Sequence, residues 1–250
     1  MVHFFSAQKH FKVTLIFIDM QQQESFYEIL LQQPLFQGLG YNDLTDIVEK
    51  VKMNFQKTPA GTVIYHETDP CNELLFVLKG NISVSHTSQN KRVSIHETWA
   101  PPTVVGISNI FGISQYHSRT YRALSDIQTL SIKKEFITHN LLSYEVFQYN
   151  LLGMLSTRTQ RSDRMLWESP DASLLKRFLQ VCRQNFLRPF GEKEIHGKMI
   201  DLAVYVNATR LNLSRLLNKL EQENLIKMER KRIIIPSFEF LIRFAQENNF

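Results

Sequence analysis

Cysteine is scarce in this chain. Its 250 residues hold two, Cys71 and Cys182, far apart and with no second cysteine or histidine at metal-ligand spacing. That leaves no disulfide framework, no zinc site and no four-cysteine iron–sulfur cluster, so no metal site is expected. A reducing, cytoplasmic setting fits, with both thiols as inert core fillers. Long apolar runs are lacking as well. Val13-Thr-Leu-Ile-Phe-Ile18 is too short to span a bilayer and has neither the length nor the cleavage site of a secretory signal, so no membrane partner is expected. Residues 1–20 read as a weakly committed leader, with Met20 as an alternative start. Reactive motifs are missing too. There is no P-loop, dinucleotide fingerprint or nucleophile motif, and no His-x-His pair with a downstream glutamate to make a β-roll into a metal enzyme. Catalysis is not expected.

What remains is a soluble globular composition, 43% hydrophobic and 21% charged, with length enough for two domains that each bury a core. The net charge of +5 is unevenly placed. Residues 170–250 hold 14 Lys and Arg against 9 Asp and Glu, while the rest of the chain holds 15 of each. All the excess lies in the last third, as expected of a part that meets a polyanion.

Three textures follow one another. From about 50 to 132, short β-branched and aromatic runs are broken by Gly, Pro, Asn and Asp: Thr62–Tyr65, Leu74–Leu78, Ile82–Val84, Arg92–Ile95, Tyr121–Leu124 and Ile127–Ile132. Their close spacing predicts an antiparallel roll or sandwich and not a βαβ fold. A helix is predicted over about 141–167, with Leu142, Val146, Tyr149, Leu152 and Leu155 along one face. Ser169-Pro170-Asp171 then breaks the helix and marks a domain boundary. The third texture is helix, helix, tight turn, helix and β-hairpin, its first helix running from Ala172 to about Asn185 with Leu175, Phe178, Leu179 and Cys182 on one side. The expected organisation is a leader over 1–29, a β-rich domain over 30–140, a long helix and hinge over 141–169, and a winged helix-turn-helix over 170–250.

The helix-turn-helix carries the sharpest signal. Leu202 and Ala203 lie on a first short helix, and Val206-Asn207-Ala208 is the turn, where asparagine suits a left-handed backbone. Thr209 is a natural N-cap for the second helix. On that helix Leu213, Leu216, Leu217 and Leu220 keep the spacing of a core-facing stripe. The opposite face offers Arg210, Leu211, Ser214, Arg215 and Asn218, polar and basic, with its amino-terminal end free to enter a major groove of double-stranded DNA. Taken alone, the segment also suits an ordinary helical hairpin with a solvated basic face. Leu225–Met228, Glu229–Arg232 and Ile233–Pro236 then form a hairpin with a basic tip, a wing whose cations, Lys227 and Arg230 among them, suit phosphates.

The chain resembles the CRP/FNR family of bacterial transcription regulators over roughly residues 30–236. Leu30, Pro34-Leu-Phe36 and Leu39 match the family's opening helix. Gly61–Tyr65 and Asp69–Gly80 resemble the first strands of its cyclic-nucleotide-binding jelly roll. Asp201-Leu-Ala203, Thr209-Arg210, Arg215 and Leu220–Ile226 resemble its helix-turn-helix. The resemblance implies an α+β fold: an N-terminal antiparallel jelly roll, a long central dimerisation helix and a C-terminal winged helix-turn-helix. It also implies a homodimer on a roughly palindromic site, with RNA polymerase as a partner. By position, Arg210 and Arg215 correspond to arginines that contact bases and backbone, and an arginine fork can bond guanine O6 and N7 together. Thr209, Asn212 and Ser214 are expected on phosphates. Leu211 stands where the family often has an acidic residue, so the half-site is expected to depart from the family consensus at that base.

The sensor domain departs from the cyclic-AMP pattern. Family members that bind cyclic AMP supply a glutamate for the ribose and, some ten residues later, an arginine and a small hydroxyl residue for the phosphate. In the matching stretch, Val104–Ser118, Gly106 and Ser118 are in place, but Ile107 and His117 hold the glutamate and arginine positions. Isoleucine accepts no hydrogen bond and neutral histidine replaces a guanidinium fork poorly. Arg119 is expected to point the other way on an alternating strand. The expected pocket comprises Gly106, Ile107, Ser108, His117, Ser118 and Thr159, for an unidentified effector other than cyclic AMP. No cofactor is required. Haem or gas sensing through His117 or a tyrosine is an alternative, as is an apolar ligand or none at all. The polar run Ser156–Arg164 reads as a solvated face, from which Thr157 and Thr159 could reach the ligand. From another class, an architectural DNA-binding protein without effector stands as the competing function.

Overall fold

The computed structural model describes residues 26–166 and 173–247. The expected leader over 1–20 and the boundary at Ser169-Pro170-Asp171 lie outside them. Helices α1 (Phe26–Gln32) and α2 (Tyr41–Lys50) precede eight strands: β1 (Met53–Thr58), β2 (Val63–Tyr65), β3 (Glu73–Lys79), β4 (Ile82–Thr87), β5 (Val93–Trp99), β6 (Thr103–Val105), β7 (Thr120–Ala123) and β8 (Ile127–Lys133). Then come α3 (Lys134–His139), a 3-10 turn (Leu141–Ser143) and the long α4 (Glu145–Leu166). The last third holds α5 (Leu174–Asn185), β9 (Lys193–Gly197), α6 (Met199–Tyr205), α7 (Arg210–Gln222), β10 (Lys227–Glu229), β11 (Arg232–Ile235) and α8 (Phe238–Glu247). This is the α+β arrangement of jelly roll, long helix and winged helix-turn-helix.

All named strand pairings are antiparallel. One sheet runs β1-β8-β3-β6. Its central strand β3 is buried on both faces, which is why Leu74–Leu78 reads as an unbroken apolar run. Leu74 and Phe76 pack outward against Leu30, Phe36, Leu44 and Ile47 of the opening helices and Phe147 of α4. Leu75 and Val77 pack inward with Ile82, Val84, Trp99 and Tyr121. Each fully buried side chain of this size contributes about 1.5–3 kcal/mol of transfer free energy. Gly80 turns the chain into β4 at φ +79°, where an added Cβ would sit 2.4 Å from the Asp126 carbonyl. Only glycine fits there.

The second sheet joins the two halves of the molecule. Its order is β2-β7-β4-β5-β9-β11-β10, so the roll's β5 pairs directly with β9 of the wing. The roll and the last third each bury a core, and the two cores share one strand. Val93 and Ile95 of β5 belong to the helical core with Phe178, Leu202, Leu217 and Ile233, while Leu187 packs against the roll. Along β5 one face buries Val93, Ile95, Glu97 and Trp99 in turn. The strand therefore passes from one core to the other at Glu97. Opposite Glu97 in register stands Lys193 of β9, and the two form an ion pair of 2.7 Å with side chains 3% and 0% exposed.

Helix α4 also differs from its expected face. Phe147 and Leu151 are buried against the roll, with Val146 and Leu155 half-buried beside them, whereas Tyr149 and Leu152 are 71% and 57% exposed. From Val146 the expected positions step by three each time, about 60° short of a full turn per step, so they drift around the helix and do not all meet one surface.

Candidate nucleic-acid interface and sensor pocket

The turn between α6 and α7 is built as its sequence suggests. Asn207 takes φ 47°, and the amide of Ala208 donates to the carbonyl of Ala203 at 2.9 Å. Thr209 caps α7, its hydroxyl accepting from the Asn212 amide at 3.2 Å. Leu213, Leu217 and Leu220 are buried and Leu216 is half-buried against the same core. That anchors the helix from behind and turns Arg210, Leu211, Asn212 and Arg215 to solvent, with Ser214 half-buried beside them. Among the described residues, neither arginine forms an ion pair, so both forks are free to meet an outside acceptor. Leu211 is 59% exposed, an apolar contact on an otherwise polar face.

The wing is three-stranded, because β9 joins β10 and β11 from the far side. Its tip is Arg230 and Lys231, both exposed, with Lys231 at φ 60°. The other two cations of the β10–β11 hairpin are paired within the wing. Lys227 pairs with Glu229 at 2.9 Å. Arg232 is held by Glu194 of β9, with a second contact to Glu229 at 3.2 Å. The tip is thus less basic than its four-residue sequence suggests.

In the roll, Gly106 takes φ +98°, and an added Cβ would approach the Glu73 carbonyl at 3.0 Å and the Cys71 sulfur at 3.1 Å. Ile107 behind it is 1% exposed and packs in the core with Cys71 and Leu74, so it presents nothing polar to a ligand. Ser108 is exposed, and its hydroxyl accepts from the Arg158 guanidinium. His117 is 1% exposed inside the roll, its ring stacked on Tyr65 at 4.3 Å and edge-on to Tyr121 at 5.6 Å. Among the described residues neither ring nitrogen has a hydrogen-bond partner. Burial pushes the imidazole pKa below its ordinary value, against the opposing pull of Asp69 and Glu73. Ser118 and Thr159, both expected in the pocket, are exposed. Thr159 donates to its own helix at the Leu155 carbonyl, 3.2 Å away, and Thr157 does the same to Gly153 at 2.8 Å. Among the described residues no group of three or more His, Cys, Asp or Glu gathers as a metal site.

Two basic residues escape the sequence reading. Arg119 does not turn away. It keeps the two-residue parity of His117 and Tyr121, and reaches across to the Asn185 carbonyl of α5 at 3.2 Å. Arg158 sits within a run that reads as a solvated face, yet it is half-buried and contacts the Gly106–Ser108 loop. A separate cavity of about 370 Å³ lies between the β4–β5 hairpin and the helices α5 and α6, lined by Ser88, Val93, Phe178, Cys182, Leu202 and Val206 among others. Both thiols are buried, and burial pushes that of Cys71 up to about 11.

A nucleotide-binding type of jelly roll carried on one long helix beside a winged helix-turn-helix defines a class of DNA-binding regulators. Residues 55–144 match the cyclic nucleotide-binding domain family and residues 174–244 the Crp-like helix-turn-helix domain family. The chain is 19% identical over 226 residues to the CRP-like cAMP-activated global transcriptional regulator of Mycobacterium tuberculosis, covering 88% of this chain and 99% of that one. It is 23% identical to the global nitrogen regulator of Synechococcus elongatus, covering 74% and 87%. Among solved structures, the catabolite activator protein of Thermus thermophilus aligns at 19% identity and a TM-score of 0.47, over 86% of this chain and 99% of that one. The chain belongs to the CRP/FNR family of bacterial transcription regulators. Proteins of this family are transcription regulators and not enzymes. No helix among the described residues is long and apolar enough to cross a membrane.

Proposed function

We propose that this protein is a homodimeric, sequence-specific transcription regulator of the cytoplasm, working with RNA polymerase and responding to an effector other than cyclic AMP. The observation that carries the reading is α7, whose buried leucines leave Arg210 and Arg215 exposed and without ion pairs among the described residues. The exposed Tyr149 and Leu152 on α4 supply an apolar strip for a second copy. Against cyclic AMP stand Ile107, sealed in the core where a ribose acceptor would be needed, and His117, a neutral ring where a guanidinium would be needed. Selection of binding sites from random duplex DNA should return a two-fold symmetric motif that departs from the family consensus at the base facing Leu211. Recovery of no motif removes the regulator reading. Calorimetry with micromolar cyclic AMP should show no heat.

A haem-binding form of the same reading rests on His117 and its two unpartnered ring nitrogens. A Soret band in the natively purified protein would establish it, and a featureless visible spectrum would remove it.

A further inference from the structure

Four arginines meet where the roll, α4 and the segment after α5 come together. Arg119 precedes β7, Arg158 and Arg161 lie about one turn apart on α4, and Arg188 follows α5. All four are half-buried. Their hydrogen-bond partners are neutral oxygens: the Asn185 carbonyl for Arg119 at 3.2 Å, the Ser108 hydroxyl for Arg158, the Leu187 carbonyl for Arg161 at 3.2 Å, and the Thr103 hydroxyl for Arg188 at 3.0 Å. Arg188 also lies over the Trp99 ring at 4.1 Å. Each guanidinium has five N–H donors, so most of their capacity is unused by these contacts.

The balancing charge falls short. Among the described residues Glu97 is the one buried carboxylate, and its oxygens already accept from Lys193 at 2.7 Å and from the amides of Leu187 and Arg188 at 2.7 and 3.1 Å. Glu97 thus serves Lys193 and also pulls on Arg119 and Arg188, with the half-buried Glu67 as a second pull on Arg119 alone. Burial pushes the Arg188 pKa down to about 10 against the pull of Glu97, and Arg158 and Arg161 add repulsion. Half-buried cations short of counter-charge are costly, and an anion from outside the chain relieves that cost. His117 is the independent sign. Its buried ring, beside Tyr121, holds two nitrogens that no group among the described residues satisfies.

We propose that this junction is a receptor site for a small anion carrying two or more negative charges, gripped by Arg158 of α4 and Arg188 of the DNA-binding half, with Arg119 and Arg161 at its edge. The inference rests on the sensor reading above and names the chemical class of its effector. Planar guanidinium forks match carboxylate and phosphate oxygens in pairs. A ligand held there touches both halves of the molecule, so its affinity and that of DNA are linked through the segment 186–193.

The test is calorimetry on the full-length chain in 0.15 M salt, with succinate and pyrophosphate as probes and acetate as the monovalent comparison. At least one dianion binds and acetate does not. Arg158→Gln and Arg188→Gln each weaken binding by about tenfold or more, and Arg188→Lys, which keeps the charge without the fork, falls between. Gln148→Ala, exposed near the start of the same helix, leaves binding unchanged. Melting curves identify any variant that fails to fold, and Arg188→Lys then carries the comparison. Absence of heat with both probes, acetate binding as well as either, or binding that survives the Arg158→Gln/Arg188→Gln double variant overturns the proposal. A chain that selects a DNA motif but takes neither dianion loses this inference alone. One that takes a dianion but selects no DNA motif loses the regulator reading.

Discussion

The reading helix α7 and the interior of the roll carry their polar groups in opposite ways. On α7 the buried side is all leucine and the charged side faces water, so each guanidinium keeps its hydration until DNA arrives. In the roll and at its junction with the wing the ionic groups are inside: Glu97 and Lys193 are buried, and Arg158 and Arg188 are half-buried. Groups of the first kind matter for binding and little for folding. Groups of the second kind matter for both, because their desolvation has already been met in the folded chain. Folding and function are separable in α7 and entangled at the junction.

The largest expected effect tests the entangled side. Lys193→Met leaves the Glu97 carboxylate buried without its cation, and should cost about 3–5 kcal/mol of stability, with a fall in melting midpoint on the order of 10 °C. A change below about 0.5 kcal/mol would show that the β5–β9 joint is not held by this pair. On the separable side, Arg210→Ala should cost about 1–3 kcal/mol of discrimination at one base position while its melting midpoint stays at the wild-type value. Equal losses on all sequences would reassign Arg210 to the backbone. Thr209→Ala removes the cap accepted from Asn212 and should cost about 1 kcal/mol in denaturant unfolding. Arg230→Ala at the wing tip should weaken all DNA alike and lower the salt slope by about 0.9. A site-selective loss would contradict that.

The smallest effect is one of pH. Burial holds the imidazoles of His117 and His96 below their ordinary pKa, and His196, whose ring centroid lies 4.4 Å away, adds repulsion to His96. The unfolded value is about 6.5. Between that and the lower folded values the unfolded chain binds more protons. Stability is therefore full above about pH 6.5 and falls as the pH drops through this window. His117→Phe should flatten the slope in thermal melts taken from pH 7.5 down to 5. An unchanged slope would place the titration elsewhere.

Legibility follows the same division. Six strands, the Asn207 turn, the Thr209 cap and the leucine stripe of α7 can be read from residue order, because a local period or a local backbone demand sets each one. Strands β1, β6 and β9 and helix α8 are not anticipated. Met53–Thr58 is largely exposed, β6 has three residues, and Lys193–Gly197 is too polar to announce a strand that becomes one by pairing with both β5 and β11. The inward Glu97 could have been found, since Val93, Ile95, Glu97 and Trp99 alternate onto one face. Arg158 could not. A polar run on a helix looks alike whether it meets solvent or another domain.

Residue order alone determined the helix-turn-helix and the basic reading face, whereas Ile107 and His117 as replacements of two cyclic-AMP contacts follow from the family resemblance. The first two depend on neighbours within a few positions, where helical and strand periods fix which side chains share a face. Only the tertiary structure decided that one sheet runs through both halves, that Glu97 meets Lys193 across it, and that arginines from separate segments converge. Burial and Coulomb interaction depend on distance in space, and sequence separation does not encode it.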